Sequence, residues 1–167
     1  MRTALDASPN SLDEHERSFV EKVREHGWFR TGVFADETGP GFSYTTGLWL
    51  SANRPELIMF GMKADIAQDV FWGLFREAQG GEQLSVGQRT DAVFANAPAY
   101  AFSVAKKHYA SFLGWSRWFY AGDNFPCLQI VWPDPAGVFP WEPGFDVEFQ
   151  ADQPDLTDRG WLNEIVD

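Results

Sequence analysis

Residues 126–145 read PCLQIVWPDPAGVFPWEPGF, and this run divides into a strand and a stiff return. Residues 127–132, CLQIVW, form a short apolar run of the kind that fills a buried strand. Pro133 and Pro135 end it, because each lacks an amide donor for the ladder and fixes φ. Gly137 lets the chain reverse. Phe139, Pro140 and Trp141 then form a rigid aromatic return, which costs little entropy to fix and presents large flat side chains. Such a return suits a pocket wall and a core plug equally. Asp134 stands between two prolines, placed to accept from a backbone N–H or to meet a ligand's cation.

Downstream, Phe145, Val147 and Phe149 alternate with acids, which predicts an edge strand with one wet face. Residues 150–167 read as an acidic C-terminal extension, touching the body through Trp161, Leu162 and Ile165. Upstream, Tyr100, Phe102 and Val104 alternate with small residues and predict a strand. A helix over about 108–120 follows, with Gly114 against it. Residues 28–35 and 42–50 have strand composition and flank DETGPG at 36–41, which predicts a hairpin with a longer loop. Gly47, inside the second of these strands, marks a bulge or a close approach by another group. Residues 56–61, ELIMFG, predict a central strand. Short strands are expected at 84–87 and 91–94.

Ser11 and Glu14 have capping-box spacing for a first helix that Gly27 ends. Asp65 is placed to cap a second helix over 66–79, with Ile66, Val70, Phe71, Leu74 and Phe75 as its buried stripe. Residues 1–10 are expected to be disordered and 11–149 to form one domain. The fold class is therefore α+β: a mainly antiparallel sheet of about five to seven strands, with helices largely on one face. The expected core comprises Phe19, Val23, Leu57, Ile58, Phe60, Val70, Leu74, Phe102, Val104, Leu128 and Ile130.

The 167-residue chain is long enough for one domain with a substantial core, and eight tryptophans can make that core dense. A net charge of −11 argues against nucleic-acid binding and against docking on anionic membranes. The one cysteine, Cys127, cannot form an internal disulfide and fits a reducing compartment. No apolar run has the length of a signal peptide or a membrane span, so a cytoplasmic location is expected. The charge is uneven: eight of the 24 acids follow Trp141, opposed by Arg159 alone.

Three motifs, GPGFSYTTGLW at 39–49, PELIMFG at 55–61 and LQIVWPDPAGVFPWEPGF at 128–145, occur in this order. Together they resemble the bacterial domain-of-unknown-function family 4262, over about residues 27–145. The resemblance implies a small, mostly cytosolic bacterial protein and carries over no catalytic residues.

Reaction chemistry is sparsely signalled. His15 and His26 fall on a similar side of the first helix but about 16 Å apart along its axis, too far to share an ion. No metal and no cofactor is expected. Cys127 with His108 would make a nucleophile–base pair, but Cys127 lies in an apolar strand, where a thiol behaves as a small hydrophobe. Ser43 with His108 and Asp123 lacks a nucleophile elbow. TGPG at 38–41 lacks the lysine and spacing of a phosphate loop.

The remaining candidate is a cleft with aromatic walls and polar tips, drawn from Tyr44, Thr45, His108, Tyr109, Gln129, Trp132, Asp134 and Trp141, with Thr46, Trp118 and Tyr120 beside them. The bland alternative makes these aromatics core and these hydroxyls cross-strand pairs. Two function classes follow. One is a binding module, of the antitoxin-like immunity kind, neutralising a basic protein partner. The other is a small-molecule enzyme with an aromatic pocket and Tyr, Asp or His as acid–base groups.

Overall fold

Five strands form one mixed sheet: β1 (Phe29–Val33), β2 (Phe42–Thr46), β3 (Glu56–Phe60), β4 (Tyr100–Ser103) and β5 (Cys127–Val131). Their spatial order is β1-β2-β3-β5-β4, antiparallel throughout except for the central β3–β5 pair. The computed structural model describes residues 1–167. The α+β class, the early hairpin and the central position of β3 are as expected from the sequence.

Six helices accompany the sheet: α1 (Glu14–His26), α2 (Leu48–Ala52), α3 (Ala64–Gln79), α4 (Tyr109–Phe112), α5 (Gly114–Phe119) and α6 (Trp161–Glu164). They cover both faces rather than mainly one. Alternation along β3 explains this, since every residue of the strand is buried and each face needs its own apolar cover. Ile58 and Phe60 pack with Phe19 and Val23 of α1, Tyr109 of α4 and Phe119 of α5. Leu57 and Met59, with Leu128 and Ile130 of β5, pack with Leu48 of α2 and Phe71 and Phe75 of α3.

Local chemistry shifts several expected boundaries. The capping box of α1 is Asp13 with Glu16, two residues later than Ser11 with Glu14, because Ser11 closes a 3-10 turn of its own. The N-terminal residues form two 3-10 turns, Ala4–Asp6 and Pro9–Ser11. Thr3 caps a 3-10 turn at Ala4–Asp6, and Ala4 and Leu5 pack against the core.

The strand expected to run through 50 ends at Thr46, where Gly47 at φ 116 turns the chain into α2. A Cβ at Gly47 would lie 2.5 Å from the Gly27 carbonyl oxygen and 2.8 Å from Trp28 Cα, so the close approach requires glycine. In α3, Lys63 rather than Asp65 occupies the N-cap, and the buried stripe is Ala67, Phe71 and Phe75. Val70 and Leu74 are partly buried and Ile66 is exposed. The expected 108–120 helix is broken at Leu113 into α4 and α5. Residues 84–94 form no strand; a single bridge joins Thr90 to Ala99.

The C-terminal segment differs most from expectation. Val147–Phe149 is a 3-10 turn rather than an edge strand, with Val147 81% exposed. Residues 150–167 are a strap across the sheet rather than a loose extension. Gln129 donates to the Pro154 carbonyl and accepts from the Leu156 N–H. Gln153 pairs with both backbone groups of Trp132. Ala105 donates to the Leu156 carbonyl and Val166 to that of Gly87. Leu156 and Trp161 are buried, whereas Leu162 points to solvent. These segments cover the β4–β5 end of the sheet, where Phe102 and Val131 pack with Phe139 and Trp161.

Candidate functional site

The structure scatters the eight sequence-selected residues and satisfies most of them internally. Tyr44 is buried and its phenol oxygen accepts from the Trp115 N–H. Tyr109, also buried, donates to the Phe125 carbonyl. Gln129 is tied to the C-terminal strap. Trp132 donates its indole N–H to the Phe60 carbonyl at 2.7 Å. Trp141 stacks on Phe139 and meets Tyr100 and Phe102 edge-on, as a plug over the sheet. Asp134 accepts from Ala136 and Val138 at one oxygen and from Asp146 at the other, so its carboxylate staples the proline-rich turn. His108 is half-buried at the end of a 3-10 turn, beside Phe112. Ser43 accepts a hydrogen bond from Arg30.

Thr45 leads to a group that the sequence reading passed over. Its hydroxyl donates to Glu56 Oε1 at 2.7 Å and accepts from the Leu57 N–H. Glu56 is wholly buried at the start of β3. It also accepts from the N–H groups of Gly47, Leu48 and Trp49 and from the Tyr120 hydroxyl. The short helix α2 has no side-chain cap at its own N-cap residue, so Glu56 supplies the oxygens that its first turn needs. Burial pushes the Glu56 carboxyl above the usual carboxylate range, against the pull of Tyr120, Thr45 and the α2 amides. Burial and the adjacent Glu56 push the Tyr120 phenol up as well. An acid followed by LIMF reads as the polar mouth of a strand; the preceding TTG was the only sign that it would be needed inside.

Cys127 is buried, and burial holds its thiol well above the usual range. Its hydrogen-bond partner is the Leu128 carbonyl, not His108. Lys106 donates to the carbonyls of Asp123 and Phe125 and lies over the Tyr109 ring. No group of three or more His, Cys, Asp or Glu side chains is arranged to hold a metal ion. No helix is long and apolar enough to cross a membrane.

Two of the surface clefts are the best formed, and none of the eight residues lines either. One is a shallow groove beside β1, lined by Arg30, Phe34, Phe42, Met62 and Lys63 among others. The other, about 340 Å³, lies between the C-terminal half of α3 and the loop from Glu82 to Ala92. Leu48, Leu57, Leu74 and Leu128 make its floor, and Glu77 and Glu82 stand on its rim. Neither glutamate is in an ion pair, since the two pairs in the molecule are His26–Glu25 and Arg117–Asp123. Arg54, also at this cleft, spends its guanidinium on the backbone carbonyls of Glu82, Asn53 and Gly81. Arg54 thereby ties the loop to the end of α2, and the cleft inherits its wall from the helix that Glu56 holds.

No curated protein and no solved structure matches the chain. A family model does: residues 22–146 match Domain of unknown function (DUF4262), which spans all five strands, and the chain belongs to that family.

Proposed function

We propose that the chain is a binding module that holds a basic protein partner, of the immunity-protein kind that acts by contact rather than by catalysis. The observation that carries this reading is the cleft beside α3, with its leucine floor and its two glutamates free of counter-ions. An apolar side chain next to a lysine or arginine on the partner would satisfy both parts at once. The acid–base groups that an enzyme would need support the same reading. Glu56, Tyr120, Tyr109 and Asp134 are committed to internal hydrogen bonds, and Cys127 is sealed in β5.

The test is a titration with short peptides that pair leucine with lysine or arginine, and with matched leucine–glutamate controls. Amide shifts followed by NMR should concentrate at residues 74–90 for the basic peptides alone. Replacing Glu77 and Glu82 together by glutamine should weaken binding roughly fivefold, as expected for two exposed charges. Added salt should weaken binding in the same sense. Equal responses to basic and acidic peptides, or none at this cleft, would overturn the proposal.

A further inference from the structure

The two edges of the sheet are finished differently. The outer edge of β4 is covered: Thr90 and Ala99 exchange hydrogen bonds, Gly87 donates to the Ala101 carbonyl, and Val166 donates to Gly87 in turn. The outer edge of β1 has no such cover. No backbone hydrogen bond joins residues 29–35 to anything except β2. A free edge is normally blunted by proline, by outward lysine or by a bulge. Strand β1, FRTGV, contains none of these, and its one cation, Arg30, is drawn inward to Ser43 and Gln68. Apolar side chains instead stay exposed at this edge. Val33 is 40% exposed and Phe34 is 95% exposed, while Trp72 on the neighbouring face of α3 is 44% exposed.

We propose that β1 pairs antiparallel with β1 of a second copy, about a two-fold axis at Thr31, to give one continuous ten-stranded sheet. The sequence of the strand is self-complementary in this register. Phe29 falls opposite the partner's Val33, Thr31 opposite the partner's Thr31, and Arg30 opposite the partner's Gly32, so the two arginines are diagonal rather than directly opposed, and each is held by Ser43 and Gln68 of its own chain. The same register carries Phe34 to the level of the partner's Trp28, beside which Trp72 lies with ring centroids 6.3 Å apart. Beyond the strand, the register sets Asp36 level with the partner's His26 but Glu37 level with the partner's Glu25, so charge neither favours nor opposes the pairing. Backbone pairing and aromatic cover agree on the same occupant, a second copy of this chain.

Light scattering on the full chain across micromolar concentrations should give twice the chain mass of 18.9 kDa. The double substitution Val33→Lys and Phe34→Lys, at two exposed positions, should give the single-chain mass with unchanged circular dichroism. Residues paired across an antiparallel ladder have Cα atoms about 4.5–5.5 Å apart, within disulfide range. Thr31→Cys should therefore form a cross-linked dimer on mild oxidation, whereas Glu37→Cys should not. This covalent readout stands even if the lysine variant folds poorly. A chain that stays single at all concentrations would overturn the proposal. So would a dimer that survives the lysine substitutions, or one that Thr31→Cys does not cross-link.

Discussion

Glu56 and Asp134 each turn both carboxylate oxygens toward the backbone N–H groups of a chain reversal. Glu56 collects those of Gly47, Leu48 and Trp49; Asp134 collects those of Ala136, Val138 and Asp146. They differ in depth. Glu56 is sealed between β2, β3, α2 and Tyr120, whereas the cover over Asp134 is a thin layer made by its own turn. Burial therefore dominates at Glu56 and moves its carboxyl up. At Asp134 the N–H of Val138, then those of Asp146 and Ala136, dominate and move it down. Similar hydrogen bonds thus yield opposite titration behaviour, and depth decides the sign.

The largest expected effect is at the deep site. Glu56→Ala leaves three amides and two hydroxyls without their acceptor and should cost on the order of 3–5 kcal/mol in chemical denaturation. A loss no larger than that of an ordinary surface substitution would break the comparison. Tyr120→Phe removes one donor to the same carboxylate and should cost about 1.5–3 kcal/mol. Because Glu56 holds α2, which walls the cleft, this variant should also weaken peptide binding there without touching the peptide. Asp134→Ala should lower the denaturation midpoint less than either change. Its amides lie near the surface, where water can replace the lost oxygens.

The smallest effect, and the sharpest, is the pH dependence. For Glu56 the folded-state value lies above the unfolded one, so its contribution to stability is greatest in acid. It declines as pH rises from about 4.3 through the folded value. For Asp134 the folded value lies below the unfolded one. Its contribution is present above about 3.9 and is lost as pH falls through the folded value. The stability gap between the native chain and Glu56→Gln should therefore shrink as pH rises from 4 toward neutrality. The gap to Asp134→Asn should widen over the acid range instead. A Glu56→Gln gap that widens with pH would mean that the donors outweigh burial at the deep site.

Periodicity made most of the sheet legible. Alternation in 100–104, the apolar runs at 56–60 and 127–131 and the glycine-flanked hairpin loop place β1 to β5 within a few residues. Nine of the eleven expected core residues are buried, with Val70 and Leu74 half-covered at the edge of α3. Features set by tertiary contact were hidden. Leu48, Trp49 and Leu50 have strand composition, and they form a helix because Gly47 must pass the Gly27 backbone and because Glu56 waits to cap the turn. The acids after Trp141 looked like a charged tail. Half of them are local caps: Glu142, Asp146, Asp155 and Glu164 each accept backbone N–H groups in their own turns. Of the aromatic residues chosen as pocket walls, Tyr44 and Tyr109 are buried among residues of α1, α4 and α5, while Trp132 and Trp141 are partly covered by Gln153 and Trp161 of the strap, which composition alone did not reveal. The glutamates of the cleft went unnoticed since nothing local distinguishes Glu77 or Glu82 from other solvated acids.

The parallel pairing of β3 with β5 also governs how the chain is assembled during synthesis. Residues 61–126 separate the two strands, so β1, β2 and β3 can form a meander long before their central neighbour has left the ribosome. Until β5 emerges, the edge of β3 that carries Ile58 and Met59 stands open to other nascent chains. The strap that closes over Gln129 emerges after β5, so premature termination between Val131 and the strap would release a protein with all five strands made and one end of the sheet uncovered.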